Sequence, residues 1–201
     1  MREWQQVHDE LSHTAFALAT QADDESLASL YHKIAFELGQ WEQLDAERRN
    51  VGREAIAARA HVRMADAALD HVLHRLAGAA SEHGEHYAKL FPEGHEEVIA
   101  LGLDGELPAA SVAMAVLDED GTPAPLKAHA AHLRQALAVG HGALSARADA
   151  YAARGRLEAR MEACIEDGEG LLRVARTTLA QLASARGRPE RWVAAFFARS
   201  C

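Results

Sequence analysis

A heptad pattern from Leu27 to Leu90 constrains this chain more than any other feature. Alternating steps of three and four residues from Leu27 meet nineteen positions, and fifteen of them are apolar. Such a stripe places one face of a long helix against a partner helix. Because no proline occurs in it before Pro92, we predict one helix over about residues 24–91, roughly 100 Å long at 1.5 Å per residue. The positions are Leu27, Leu30, Ile34, Glu37, Trp41, Leu44, Arg48, Val51, Ala55, Ala58, Val62, Ala65, Leu69, Val72, Leu76, Ala79, His83, His86 and Leu90.

A second, less regular stripe runs from Leu126 to about residue 186. Its length nearly equals that of the first, so we predict two long antiparallel, coiled-coil-like helices joined by a loop segment. Gly187 followed by Pro189 is the order expected after a helix C-terminus. Two alternatives stay open: each long helix is continuous, or it folds back, at Gly52 in the first and at Gly140 in the second, because glycine weakens a helix.

Shorter elements flank these two helices. Apolar spacing predicts an N-terminal helix over Trp4–Ala19 and a C-terminal helix over about 190–199. The connector, about 92–125, is acidic and rich in glycine and proline, with a short helix expected from Pro108 to Leu117. The sequence therefore predicts an all-α fold: an elongated helical bundle forming a single domain over residues 1–201.

Composition supports the helical prediction. The chain has 44 alanines, the best helix former, while the strand-favouring residues Val, Ile and Thr are sparse. Arginine outnumbers lysine by 18 to 3. In this respect the chain resembles Ala- and Arg-rich bacterial helical bundles, a resemblance that implies no particular function.

The net charge and the apolar content limit the classes of partner that this chain can bind. The net charge is −9 and the pI is about 5.7, which argues against a nucleic-acid-binding protein because such a surface needs excess Lys and Arg. The longest apolar run, Ala109–Leu117, is too short to span a membrane, and the first residues lack the apolar core of a signal peptide. The two cysteines, Cys164 and Cys201, have no metal or redox spacing. We expect a cytoplasmic protein that binds neither membranes nor nucleic acid.

Histidines form the clearest candidate site. The chain has twelve, and a dense group occurs at His71, His74, His83 and His86, followed by His95-Glu96-Glu97. Residues three or four apart share a helix face, so His83 and His86 could bind one ion, with Glu82 or His74 completing the set. Zinc suits these ligands, and we expect no other cofactor. The alternative is that the helix has turned by Gly84 and these histidines are exposed.

No catalytic signature is present. The zinc-protease pattern of two histidines four apart around a glutamate is absent, and paired Glu-x-x-His motifs for a di-iron bundle are missing. No glycine-rich loop follows a predicted strand, and no nucleophile elbow occurs. These absences favour a non-enzymatic function and leave an enzyme as the third alternative.

The apolar helix faces indicate that the chain binds a protein partner or another copy of itself. Trp192, Phe196 and Phe197 share a face of the C-terminal helix, which should dock on the bundle or on a neighbouring chain. The short helices cannot cover the long stripes, so we expect self-association, by default as a dimer, or binding of a protein partner. The predicted function is a structural or interaction protein. The alternative is a metal-binding or pH-responsive bundle that uses the His/Glu cluster.

Two polar positions on the first stripe, Glu37 and Arg48, allow two interpretations. They set the register of pairing, as single polar residues do in coiled coils, or they lie at the edge of the stripe with their charged groups in water.

Overall fold

The computed structural model describes residues 3–21 and 24–198, of which 85 % are helical. No strand occurs in those ranges, so the all-α prediction is confirmed. No helix there combines the length and apolar content needed to cross a membrane. The described ranges contain eight helices: α1 (Trp4–Ala19), α2 (Glu25–Ala80), α3 (Gly84–Leu90), α4 (His95–Ile99), α5 (Leu103–Asp118), α6 (Ala124–Lys127), α7 (Ala130–Ala185) and α8 (Glu190–Ala194).

Both long helices are continuous, which decides between the two alternatives. Each has 56 residues, and neither Gly52 nor Gly140 interrupts its helix. Each glycine costs about 1 kcal/mol relative to alanine, a cost that packing over the rest of the helix outweighs. Gly140 also has a packing role, because a Cβ there would lie 2.7 Å from Leu107 and 3.2 Å from Leu103. Its missing side chain lets α5 approach α7 closely.

The first long helix is shorter than predicted. We predicted residues 24–91, but α2 ends at Ala80 and a turn precedes α3. In that turn the Ser81 hydroxyl donates a hydrogen bond to the Gly78 carbonyl oxygen at 2.7 Å. His83 has φ −125° and ψ 65°, which lies outside the helical region. Serine, with its competing side-chain bond, and the glycines Gly78 and Gly84 explain the break.

The connector is more helical than predicted. In place of a short helix from Pro108, α5 begins five residues earlier, at Leu103, and α4 precedes it. Gly102, with φ +67°, supplies the left-handed residue that separates the two helices. Pro108 lies in the second turn of α5, where it removes one backbone hydrogen bond. The buried face of α5 offsets that loss; it consists of Leu103, Glu106, Leu107, Ala110, Ala113, Met114, Val116 and Leu117.

Contacts divide the chain into two compact units. Unit 1 comprises Met1–Asn50 and Arg154–Cys201, and unit 2 comprises Val51–Ala153. In unit 1, α1 packs on the paired segments of α2 and α7, and the Trp4 and Trp41 rings stack with centroids 3.8 Å apart. Ion pairs join Glu47 to Arg160 and Asp24 to Arg186. Residue numbers thus fall along α2 as they rise along α7, which makes the two segments antiparallel, as predicted.

Unit 2 has a continuous core of its own. Its α2 and α7 segments are also antiparallel, because Ala55 and Ala58 pack on Ala150 while Ala65 lies beside Ala143. Small residues there allow close approach of the two helices. Helices α3 to α6 cover the rest of the core, which includes Leu69, Leu73, Leu76, Leu90, Phe91, Val98, Leu107, Leu117, Leu126 and Leu133.

The two polar stripe positions in unit 1 behave differently. The Glu37 carboxylate accepts a hydrogen bond from the Cys164 thiol of α7 at 3.3 Å and is half-buried. Arg48 is exposed and bonds to Asp45 one turn earlier on α2. Arg48 therefore lies at the edge of the stripe, whereas Glu37 contacts the facing helix.

The C-terminal aromatic residues pack within unit 1. Phe196 and Phe197 are buried, Trp192 is half-buried, and the Trp192 and Phe196 rings meet edge to face at 4.9 Å. The predicted docking on the bundle is confirmed, although α8 ends at Ala194. The predicted end of this helix, residue 199, lies outside the described residues, as does Cys201. Packing inside the unit accounts for both phenylalanines without a partner chain, and a role in partner binding stays a prediction.

Candidate metal centre

Three side chains of the types that bind metals converge in unit 2: His74, His95 and Glu96. Each offers a ligand atom, and the three atoms lie within 4.8 Å of one another. His74 belongs to α2, and the other two form the first turn of α4. Among the described residues this is the group of three or more such side chains close enough to share an ion.

The chain between α3 and α4 brings His95 to α2. Phe91, buried at the end of α3, and Val98, buried on α4, anchor the segment in the core of unit 2. Between them, Gly94 has φ +94°, a conformation that side chains rarely adopt, and it lets the chain turn sharply into α4. The turn places the first residues of α4 beside the last turns of α2.

The His95 ring is held by four neighbours. The Tyr87 hydroxyl lies 3.0 Å from Nδ1, and Glu96 Oε1 lies 3.0 Å from Nε2. The His74 and Phe91 rings meet it edge to face, with centroids at 5.4 and 6.0 Å. When Nδ1–H donates to Tyr87, the lone pair of Nε2 points to the side where Glu96 lies. Hydrogen bonding of one ring nitrogen in this way is how proteins orient a metal-binding imidazole.

A pocket of about 480 Å³ opens beside this group. His74, His95 and Tyr87 line it together with small residues, which leave room for a water molecule or a small ligand. Those residues are Ala77, Gly78, Ser81 and Gly84. The three side chains would therefore leave a coordination position open to the pocket.

The sequence-predicted ligands are only partly in this group. His74 belongs to it, but Glu82, His83 and His86 do not. The turn after Ala80 takes His83 and His86 off the α2 stripe, and both are half-buried, on the turn and on α3. Glu82 is exposed on the same turn. The predicted set thus loses its common helix face, and whether those residues bind an ion stays untested.

Sequence reasoning did not select His95 and Glu96. Their only local signal is a His-Glu pair after a Pro-Glu-Gly turn, which is too short to be specific. His95 and Glu96 are far from His74 in the sequence, and the three residues come together only because α4 packs on α2. Spacing along one helix cannot reveal such a pair.

Another histidine lies near α2. Burial lowers the pKa of His129, and the positive charge of Arg75 and the neighbouring His132 lower it further. His129 therefore lies near Arg75 of α2, although it is not part of the three-ligand group.

Comparisons with known proteins give no family assignment: no family model, curated protein or solved structure matches this chain. Function is therefore inferred from the geometry of the described residues.

Proposed function

We propose that this protein is a zinc-binding helical bundle in which His74, His95 and Glu96 hold the ion. The observation that carries the proposal is the convergence of these three ligands within 4.8 Å, with Nδ1 of His95 bonded to Tyr87. Two imidazoles and one carboxylate are a ligand set that zinc accepts, and the remaining position would be filled by water from the pocket.

The three side chains need to move only slightly to bind one zinc ion. Zinc binds nitrogen and oxygen ligands at about 2.0–2.2 Å, so the corners of its tetrahedron lie about 3.3 Å apart. The His95 Nε2 and Glu96 Oε1 atoms already have a comparable separation of 3.0 Å. His74 and Glu96 are exposed, so their side chains can rotate to complete the set.

A bound ion would tie α4 to α2. Zinc would then stabilise the segment from α3 to α4, because an ion that binds only the folded chain adds about 2.7 kcal/mol at a hundredfold excess over its Kd. The site would make the order of this segment depend on the zinc concentration, which is the property of a metal-responsive protein.

Zinc titration of metal-free protein tests the proposal. We expect one zinc ion per chain, and at least tenfold weaker binding in the separate variants His74→Ala and His95→Ala. His71→Ala is the matched control, because His71 is exposed on the same helix but outside the group. Unchanged binding by His95→Ala would overturn the proposal. A loss caused instead by the double variant His83→Ala, His86→Ala would restore the set predicted from the sequence.

A second candidate function is self-association through unit 2. Met64 and Val139 are 71 % and 51 % exposed, and they flank a groove of about 270 Å³ between α2 and α7. His61 and small residues, including Ala65 and Ala143, line the rest of the groove. Exposed apolar side chains beside a narrow groove support an interface, and a second copy of the chain is the simplest occupant.

Light scattering coupled to gel filtration tests this candidate. We expect a dimer that the double variant Met64→Glu, Val139→Glu converts to a monomer. Val174→Glu is the control, because Val174 is 54 % exposed on the same helix as Val139 but is not part of the groove. A wild-type monomer at tens of micromolar would reject self-association.

A further inference from the structure

The pocket beside the candidate metal centre has a composition that favours one class of ligand. Its volume of about 480 Å³ lies within the range of small-molecule sites and is many times the volume of one water molecule. Its walls are mainly small residues and the Tyr87 ring, and the residues that line it include no acid, lysine or arginine. Such walls suit the apolar body of a small molecule.

The charge of the zinc centre favours an anionic ligand. A zinc ion held by His74, His95 and Glu96 would keep one positive charge, because Glu96 is the only anionic ligand of the three. The two histidines line the pocket, so the open coordination position faces it, and no side chain of its lining neutralises the charge. The oxygen of a monoanionic carboxylate would neutralise it, and zinc binds such oxygens well.

Tyr87 offers a second contact to the same ligand. When Nε2 of His95 binds zinc, the ring proton is on Nδ1, which then donates it to the Tyr87 oxygen 3.0 Å away. The hydroxyl group of Tyr87, which also lines the pocket, thereby keeps its own proton for donation. The two ring nitrogens point in different directions, so this proton reaches a different atom of the ligand from the one that zinc binds.

We propose that the pocket binds a small carboxylic acid that carries a carbonyl or hydroxyl oxygen a few bonds from its carboxylate. The inference rests on the proposed zinc centre and names the ligand of its open position. The carboxylate would be the fourth zinc ligand, in place of water, and the second oxygen would accept the Tyr87 proton. The apolar part of the acid would pack on the small residues of the pocket.

Gly78 provides a way to block the pocket without disturbing the protein. It lines the pocket within α2, and a Cβ built there meets no atom within 4 Å. Its φ is not positive, so neither the backbone conformation nor close packing requires glycine at this position. A leucine there is a better helix former and fills space that the acid would need.

Calorimetric titration with levulinate, a short oxo acid, tests the proposal. We expect one levulinate per zinc-loaded chain, and at least tenfold weaker binding to the metal-free protein. Pentanoate has no oxo group and should bind about fivefold more weakly than levulinate, the effect of one hydrogen bond. With Co²⁺ in place of zinc, levulinate should change the visible absorption of the metal, because it replaces a metal ligand.

Two variants test the position of the acid. Gly78→Leu should bind zinc as the wild type does and levulinate at least tenfold more weakly. Gly52→Leu is the matched control: Gly52 is on the same helix and has open space around its Cβ position, but it does not line the pocket. At saturating zinc, Tyr87→Phe should lose the preference for levulinate over pentanoate.

The results distinguish failure of this inference from failure of the zinc centre. Zinc binding that depends on His95, together with no levulinate binding, would overturn the carboxylate ligand alone. Equal levulinate binding with and without zinc, or unchanged binding by Gly78→Leu, would also overturn it and leave the zinc centre intact. A protein that binds no zinc would overturn both.

Discussion

The Tyr87 hydroxyl lies 3.0 Å from Nδ1 of His95 and thereby decides which nitrogen of that ring faces the candidate metal centre. Tyr87 belongs to α3 and His95 to α4, so the contact also joins two short helices that have few backbone bonds of their own. A hydrogen bond of this kind orients the ring of a ligand before the metal arrives.

Tyr87→Phe should weaken zinc binding about tenfold and leave the fold intact. Loss of a hydrogen-bond partner of a ligand typically costs 10–100-fold in metal affinity, about ten at the lower end. Competition with a chromophoric chelator measures the change. Tyr151→Phe is the control, because Tyr151 is half-exposed on α7. Equal affinity in both variants would show that Tyr87 does not orient His95.

Gly168→Ala should destabilise the protein by about 1–3 kcal/mol, the usual range for overpacking a core. A Cβ at Gly168 would lie 3.0 Å from Val7, 3.1 Å from Leu11 and 3.3 Å from Trp41. All three are buried in unit 1, so they cannot move aside together. The gain in helix propensity, about 1 kcal/mol, is smaller than this cost. Urea unfolding gives the difference.

Gly155→Ala is the matched control on the same helix. No atom lies within 4 Å of a Cβ built at Gly155, so only helix propensity changes. We expect it to stabilise the protein by about 1 kcal/mol. A stabilising Gly168→Ala would contradict the tight packing of α1 on α7.

Stability of the metal-free protein should fall between about pH 4.5 and pH 8 because of Glu106. Its pKa rises from 4.5 to about 8 on folding, chiefly through burial. In this range the unfolded chain loses a proton that the folded chain keeps, so increasing pH favours unfolding; above pH 8 both states are ionised and the effect levels off.

Glu106→Gln should remove this pH dependence. At pH 8 with chelator present, the variant should be more stable than the wild type by about 1–3 kcal/mol, the cost of an unsatisfied buried polar group. Denaturant unfolding at several pH values measures both curves. Parallel curves for the two proteins would contradict the burial of Glu106 beside Asp70 and Asp66.

Cys164 should react slowly with iodoacetamide. Burial raises its pKa to about 12, and the hydrogen bond and negative charge of Glu37 contribute. The thiolate is the reactive form, so at pH 8 the folded protein should react at least a hundredfold more slowly than the urea-unfolded chain. A Cys201→Ser background leaves Cys164 as the only thiol. In that background Glu37→Gln should raise the rate modestly, whereas a fast reaction of the folded parent would contradict the burial.

The long helices could be predicted because the sequence pattern that specifies each of them lies within the helix itself. The stripe from Leu27 to Leu90 follows the helical period, and most of its apolar positions are buried. The break after Ala80 and the start of α5 at Leu103 could not be predicted. Local sequence signals are weak at both places, and tertiary packing decides where the helices end and begin. Glycine alone did not mark the breaks: Gly84 lies beside one, whereas Gly52 does not interrupt its helix.

The candidate sites were less predictable for a related reason. One signal was available: Asp66, Asp70 and His74 follow at intervals of four and so share a face of α2. His95, which lies beside His74, belongs to α4, and Glu106, which lies beside Asp70, belongs to α5. Only the packing of these helices brings the residues together. Residue spacing along one helix reveals which residues of that helix share a face, but not which residues of another helix lie opposite them.

Anomalous diffraction at the zinc edge from crystals grown with zinc tests the central claim most directly. The account predicts one strong peak in unit 2, within about 2.0–2.2 Å of ligand atoms of His74, His95 and Glu96. A peak bound by His83 and His86 without His95, or no peak in unit 2 at saturating zinc, would contradict it.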